Sequence, residues 1–562
     1  MKRFVVLLAA VAVLGMVALT ACTGGPADPD IEQGGSGPAD EPGSDPDGDE
    51  GEEPADEPGA ERPQPTGLSL SVYELVFGVG DRVALTVSVA PAGAAFDAED
   101  FALQDADGAA SQNVSVAESE VTDDNKLILT LRDRRTTQAE YDQTLYVVHL
   151  PTGIRSDALR VCSAEVEYTM PVVRIYTDAS RGSITKDTWI DGEIEISGGE
   201  AFAGLSQMKT QIKGRGNSTW SYPKKPYALK LDKKQEVLGM PKHKRWCLIA
   251  NWLDVTHMRN RIAYYMGQNT SLAWTPRNEY AEVYFNDEYL GLYQVTEQIK
   301  VDENRVDVTE LDPSDVADDV VTGGYLLEMD TYFDEAYKFR TRSTSIPVNL
   351  KSPDEDIPAE QMRYIENYVN EADAAMLALW EGRGTADKVW EYVDRQSMAD
   401  FWIVNEVMTN YETLHPKSLY FHKERGGRLT AGPLWDFDYA TLTGSRARGW
   451  CCYGLTRPSG YVEWSWYEHN WWNILLTKDE SFRRDVKARW QELYPFLQSV
   501  PAFIDAEKRK IATAVKRNDD AGWRGYWTPN EDESLSFEAA VNRLKTNFQS
   551  RIEWLNAQIS TW

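Results

Sequence analysis

The stretch GPLWDFDYA, residues 432–440, places two carboxylates one residue apart, Asp436 and Asp438, interleaved with Trp435, Phe437 and Tyr439. A carboxylate set among residues that favour burial costs on the order of several kcal/mol unless it is paired or holds a cation. Two readings are open on these residues alone. One is a strand end with one acid inside and one outside. The other is a metal clamp.

Further oxygen ligands stand upstream. Asn405, Asn410 and Glu412 lie in the run from Asn405 to Ala440 that ends on the two aspartates. Asn, Asp and Glu oxygens are hard ligands suited to Mg²⁺. About 200 residues earlier, KTQIKGRGNSTWSYPKKPYALKLDKK from Lys209 to Lys234 is cationic in an otherwise acidic chain. Lys213, Arg215, Lys224, Lys225 and Lys230 crowd a strand-turn-strand pattern, and Gly214 and Gly216 would let backbone amides approach an anion closely. Glycines, amides and fixed cations are what a polyphosphate needs; a solvated basic turn is the plainer alternative. A cationic β region followed by a helical region bearing acidic ligands is the logic of phosphoryl transfer.

Other chemistries find little support. There is no Walker A loop, no H-E-x-x-H and no G-x-S-x-G. The 6 histidines are scattered, and of the 5 cysteines Cys162, Cys247, Cys451 and Cys452 form no C-x-x-C pair. The net charge is −31 and no basic stripe argues for nucleic acid.

The elements that must position these groups follow from periodicity. Residues 67–165 alternate in the strand period (LSLSVYELVF, DRVALTVSVA, KLILTLRD, TLYVVHL), which predicts a small immunoglobulin-like β-sandwich, a spacer or binding module. From about 168 strand patterns continue to RWCLIANW, followed by a helix pattern over Asp254 to Gln268. A hairpin is expected around Asn286-Asp287. Past about 358 helices dominate, with a capping-box-like start at Ser397 and Asp400 and a long terminal helix marked by Phe537, Val541, Leu544 and Phe548. The plan is α+β with a cleft between lobes.

The N-terminus reads as an export signal: Lys2 and Arg3, an apolar run from Phe4 to Ala21, then Leu19-Thr20-Ala21-Cys22. Leu-Thr-Ala-Cys resembles a bacterial lipobox, which implies cleavage after residue 21 and lipidation of Cys22, hence an exported protein held on a membrane at the cell surface or in the periplasm. Residues 23–66 carry 14 acids and one arginine among Gly, Pro and Ala, a composition that predicts a disordered tether.

In this order, IKGRGNSTWSYPKKPYALKL, NWLDVTHMRNRIAYYMG, VYFNDEYLGLYQVTEQIK and GPLWDFDYA resemble the CotH family of spore-coat kinases and their bacterial relatives, over roughly residues 170–560. The resemblance implies an atypical, kinase-like bilobal domain over 168–562 that binds ATP with Mg²⁺ or Mn²⁺ and phosphorylates Ser or Thr of a protein substrate. It implies that Asp436 is the counterpart of the kinase D-F-G aspartate, with Asp438 a second ligand. Lys230 becomes the phosphate-contacting lysine, with Lys213 and Arg215 lining the phosphates from the Gly214–Gly216 turn. Glu297 would pair with a lysine or face the nucleotide. The family's Asn-x-Asp reads Asn410-Tyr411-Glu412 here, so either Asn410 or Glu412 is the further metal ligand. The alternatives are a non-catalytic glycan- or protein-binding surface protein on a degenerate kinase fold, suggested by GYVEWSWYEHNWW, and a transferase moving AMP.

Overall fold

The computed structural model describes residues 62–166, 168–455 and 468–562. The signal, Cys22 and nearly all of the acidic segment lie outside the described residues.

Short alternating runs form the first two sheets. β1 (Gly67–Leu70), β3 (Arg82–Ala90), β6 (Lys126–Asp133) and β5 (Val114–Val121) pair in that order. β2 (Glu74–Phe77), β9 (Leu159–Ser163), β7 (Asp142–His149) and β4 (Phe101–Gln104) make the second, with β8 (Ile154–Arg155) on β7. Leu85, Val87, Leu129, Val147 and Val161 belong to the core they share. Yet β3 is buried on both faces, including Ala84 and Thr86. A two-sided strand needs a second cover, and the rest of the chain supplies it.

Seven strands close into a barrel: β10 (Val172–Tyr176), β11 (Ile190–Ser197), β12 (Leu205–Gly214), β13 (Tyr227–Val237), β14 (Met240–Ile249), β16 (Glu288–Glu297) and β15 (Asn278–Phe285), in that order. Ile194, Ile212, Leu229, Leu231, Trp246, Leu248 and Val295 fill its interior. The β15–β16 turn is the expected Asn286-Asp287, with φ of 47° and 63°, which suits residues that tolerate the left-handed region.

A further sheet, in the order β18 (Lys338–Arg340), β19 (Pro347–Ser352), β17 (Tyr325–Met329), β20 (Leu419–Lys423) and β21 (Leu429–Ala431), lies within the helical part. Helices α1 (Arg259–Gln268), α2 (Ala359–Trp380), α3 (Ala386–Trp390), α4 (Arg395–Val407), α5 (Trp471–Lys478), α6 (Glu480–Asp520) and α7 (Phe537–Ile559) complete a mixed α+β architecture. The α4 cap is Asp394, whose carboxylate accepts the Ser397 amide at 2.8 Å, in place of the expected Ser397–Asp400 box. Asp400 instead accepts from Arg489 at 2.8 Å.

The first two sheets are not a free-standing spacer. Their core is continuous with that of α1, α4, α6 and α7. At the junction Lys510 of α6 lies 2.7 Å from Glu279 of the barrel and 3.2 Å from Glu74 of β2, and Arg261 of α1 lies 3.0 Å from Glu279 and 3.2 Å from Glu507. Each of these buried charges has an opposite partner, so removing one strands the others.

Candidate active site

The segment 432–440 is neither a strand nor a strand end. It is an irregular loop, and Asp436 has φ of 67°, a left-handed conformation that Asp tolerates better than most side chains. Helix α1 and the segment around Asn530 hold it. Asn260 of α1 accepts the Phe437 amide at 2.7 Å. Arg259 donates to the Thr441 carbonyl at 2.9 Å and pairs with Asp254 and Asp532. Asn530 donates to the Asp438 and Leu253 carbonyls at 2.8 and 2.6 Å. Tyr264 stacks on Trp435 with centroids 6.1 Å apart.

Asp436 and Asp438 line a cleft of about 430 Å³. Its carboxylates are crowded: Glu328, Asp330 and Glu412 line it too. Burial, then the adjacent Asp436 and Asp254, push the Asp438 carboxyl well above the usual range. Burial, then Asp436, push Glu412 up to about 8, against the pull of Lys417 at 3.7 Å. Burial, then Glu328, push Asp330 up to about 7, although it accepts the Tyr332 and Ser418 amides. Acids in this state gain from an added cation.

The other wall is the loop after β12. Arg215 leaves the strand end and places its guanidinium 5.3 Å from the Trp435 ring centre, with no ion pair or hydrogen bond from its side chain among the described residues. Gly216 has φ of 82°, and a Cβ there would collide with Thr219 Oγ1, so the turn requires glycine. Asn251 lines the cleft as well, only 4 % exposed, and neither Nδ2 nor Oδ1 finds a partner among the described residues.

The structure thus brings together Arg215, Gly216, Lys224, Glu412, Asp436 and Asp438, and leaves Lys213, Gly214, Lys230, Glu297 and Asn410 outside the cleft. Lys230 is not the phosphate-side lysine expected: in β13 Tyr227, Leu229 and Leu231 point into the barrel, so Lys230 points out, opposite Gln211 and Arg245, into a separate groove. Lys213 lies 4.9 Å over the Trp189 ring instead of in the cleft. Gly214 makes room for the Trp220 ring, not for an anion. Glu297 is buried against Arg277 in a two-pronged pair at 3.0 and 3.1 Å. Asn410 caps the turn at Glu412, accepting its amide at 3.1 Å and donating to Asn405 at 2.9 Å. Of the Asn410–Glu412 pair, only Glu412 lines the cleft. Lys224, read as part of the basic turn, lines the cleft but spends its ammonium on Leu292 O and on Asn518 Oδ1 at 2.8 Å.

Sequence reasoning missed Asn251, Asn260, Glu328, Asp330 and Asn530. Asn251 and Asn260 lie at the edges of NWLDVTHMRNR, so that motif was the available signal. Asn530 reaches the loop across 92 residues and left none.

The oxygen-only donor set suits Mg²⁺ or Mn²⁺, ions held through one or two carboxylates with water and phosphate completing the shell. Among the described residues no group of three or more His, Cys, Asp and Glu side chains is placed to hold an ion. Among curated proteins none matches the chain. A family model described as CotH kinase protein matches residues 212–555, which takes in α1, the Arg215 loop and the Asp436 segment. The chain belongs to the CotH kinase family.

Proposed function

We propose that the cleft transfers the terminal phosphoryl group of ATP to a Ser or Thr hydroxyl of a protein substrate. The barrel serves as one lobe of a kinase-like bilobal domain, the helices with the third sheet as the other, behind an immunoglobulin-like sandwich. Residues 1–21 and Cys22 would export the protein and hold it on a membrane by a lipid. The observation that carries the reading is the opposition of Arg215, which has no side-chain ion pair or hydrogen bond among the described residues, to the crowded acids around Asp436 and Asp438.

A divalent cation, when bound, screens and orients phosphate charge. Asp436 and Asp438 would hold it, and Arg215 would meet a phosphate oxygen. The Gly216–Thr219 turn keeps side-chain bulk away and offers hydroxyls. Burial and the neighbouring acids raise Glu412 and Asp330, so either would take the proton of an acceptor hydroxyl as its oxygen bonds to the γ-phosphorus and the bond from that phosphorus to the departing ADP breaks. The surrounding asparagines hold the loop still, which is where phosphoryl transfer gains most.

The glycan-binding alternative rested on 460–472. Residues 460–467 lie outside the described residues, and Trp471 and Trp472 are core. The test is transfer of label from ATP into a surface-protein extract. Label from the γ position supports the kinase reading, label from the α position supports adenylyl transfer, and neither overturns both.

A further inference from the structure

Helix α1 has two working faces. Asn260, Tyr264 and Gly267, spaced i, i+4, i+7, all meet the 434–437 segment. Asn260 takes the Phe437 amide, Tyr264 stacks on Trp435, and Gly267 packs so closely on Leu434 that a Cβ would collide. Tyr265 and Asn269, also i, i+4, face β3 instead. The Tyr265 hydroxyl donates to the Ala84 carbonyl, and the Thr86 hydroxyl donates to Asn269 Oδ1. Lys126 at the start of β6 donates to the Gln268 carbonyl at 3.3 Å and to that of Thr270, at the helix C-terminus, where a cation is favoured. The same corner is closed by Ser271, whose amide donates to Asp400 at 2.7 Å, and by Arg489, which lies 2.8 Å from Asp400 and 3.8 Å from Asp124 beside Lys126.

We infer that the N-terminal sandwich is a built-in brace for the Asp436–Asp438 loop, acting through α1, with Thr86 and Lys126 as positioning residues. The inference takes its functional meaning from the reading of those aspartates as the working pair. The geometry does not depend on that reading. A helix held at one end by Lys126 and along one face by β3 has little freedom to roll. A roll would break the Asn260–Phe437 bond and unstack Tyr264 from Trp435, because those groups occupy the neighbouring face. A sandwich used only for recruitment would not need β3 buried on both sides.

Hydrogen exchange of the full chain tests this without any activity. In Thr86→Val and Lys126→Met, residues 434–441 should exchange roughly tenfold faster, as a local opening that leaves 278–297 unchanged. Lys126→Arg should restore the wild-type rate. Leu103→Ala, on β4, matched for loss of thermal stability, should not accelerate 434–441. Wild-type exchange of 434–441 in both Thr86→Val and Lys126→Met, or equal acceleration in Leu103→Ala, overturns the brace. Two single variants are used so that one failing to fold leaves the other. A parallel arm adds Mn²⁺ and ATP. Acceleration in the variants with no ligand protection of the wild type keeps the brace and sinks the kinase reading.

Discussion

The Asn260 side-chain oxygen accepts the Phe437 amide at 2.7 Å across 177 residues of sequence, and so fixes the backbone between the two aspartates. That N–H has no turn or strand to satisfy it, since the loop is irregular. Asn260→Leu should therefore cost about 1–3 kcal/mol, the range for stranding a buried donor. It should also remove ligand-induced stabilisation. Urea melts with and without Mn²⁺ and ATP check both, and retention of the ligand effect would show that the bond does not set the site.

Asn251 makes the opposite prediction for the free protein. Its two side-chain polar atoms are buried without a partner among the described residues, and its φ is 50°. Asn251→Gly removes both costs, so the ligand-free protein should gain about 1 kcal/mol or more. If the amide is kept for a ligand, the nucleotide-dependent shift in Tm falls at the same time. A loss of stability in the free protein would refute the account of this residue.

Lys224 gives a pH signature. Burial, opposed only weakly by Asp519, lowers its ammonium to about 7. Unfolded lysine titrates near ~10.4. Between these values the unfolded chain binds more protons, so stability rises with pH from about 7 towards 10 and is flat below 7 with respect to this group. Lys224→Met should flatten that rise. An unchanged slope in the variant, measured by urea melts from neutral to alkaline pH, would contradict the assignment.

Removal of residues 1–167 should not yield a folded remainder. The cut would expose the faces of α1 and α6 that β2 and β3 cover, and would leave Lys510 and Glu279 without Glu74 at their junction. The expected outcome is an aggregated or molten product with no near-ultraviolet circular dichroism. A cooperative melt of the truncated chain would show that the two regions are independent.

Much of this was legible in the sequence where the cause is local. The alternation of residues 67–165, the Asn286-Asp287 turn and the stripe from Phe537 to Phe548 each carry their own period or turn chemistry, and the structure has strands, a hairpin and a helix there. The Asp436 loop stood out because acids among aromatics are costly wherever they sit. Lys230 and Glu297 were misplaced for a different reason. Residue type suggested phosphate contact, but strand parity turned Lys230 to the outer groove, and a tertiary partner, Arg277, claimed Glu297. Asn530 and the docking of β3 on α1 depend on contacts between distant segments, for which one sequence holds no pattern. The stretch 456–467, which holds most of the GYVEWSWYEHNWW cluster, lies outside the described residues.

The most direct test of nucleotide and metal binding at Asp436 is thermal unfolding of the wild type and Asp436→Ala, each with Mn²⁺ alone, ATP alone and both. Ligand held by the native state at about 100 times its Kd adds roughly 2.7 kcal/mol of stability. A clear rise in Tm is expected for the wild type, one that needs both components and is absent in Asp436→Ala. No rise in the folded wild type, or an equal rise in the variant, would contradict it.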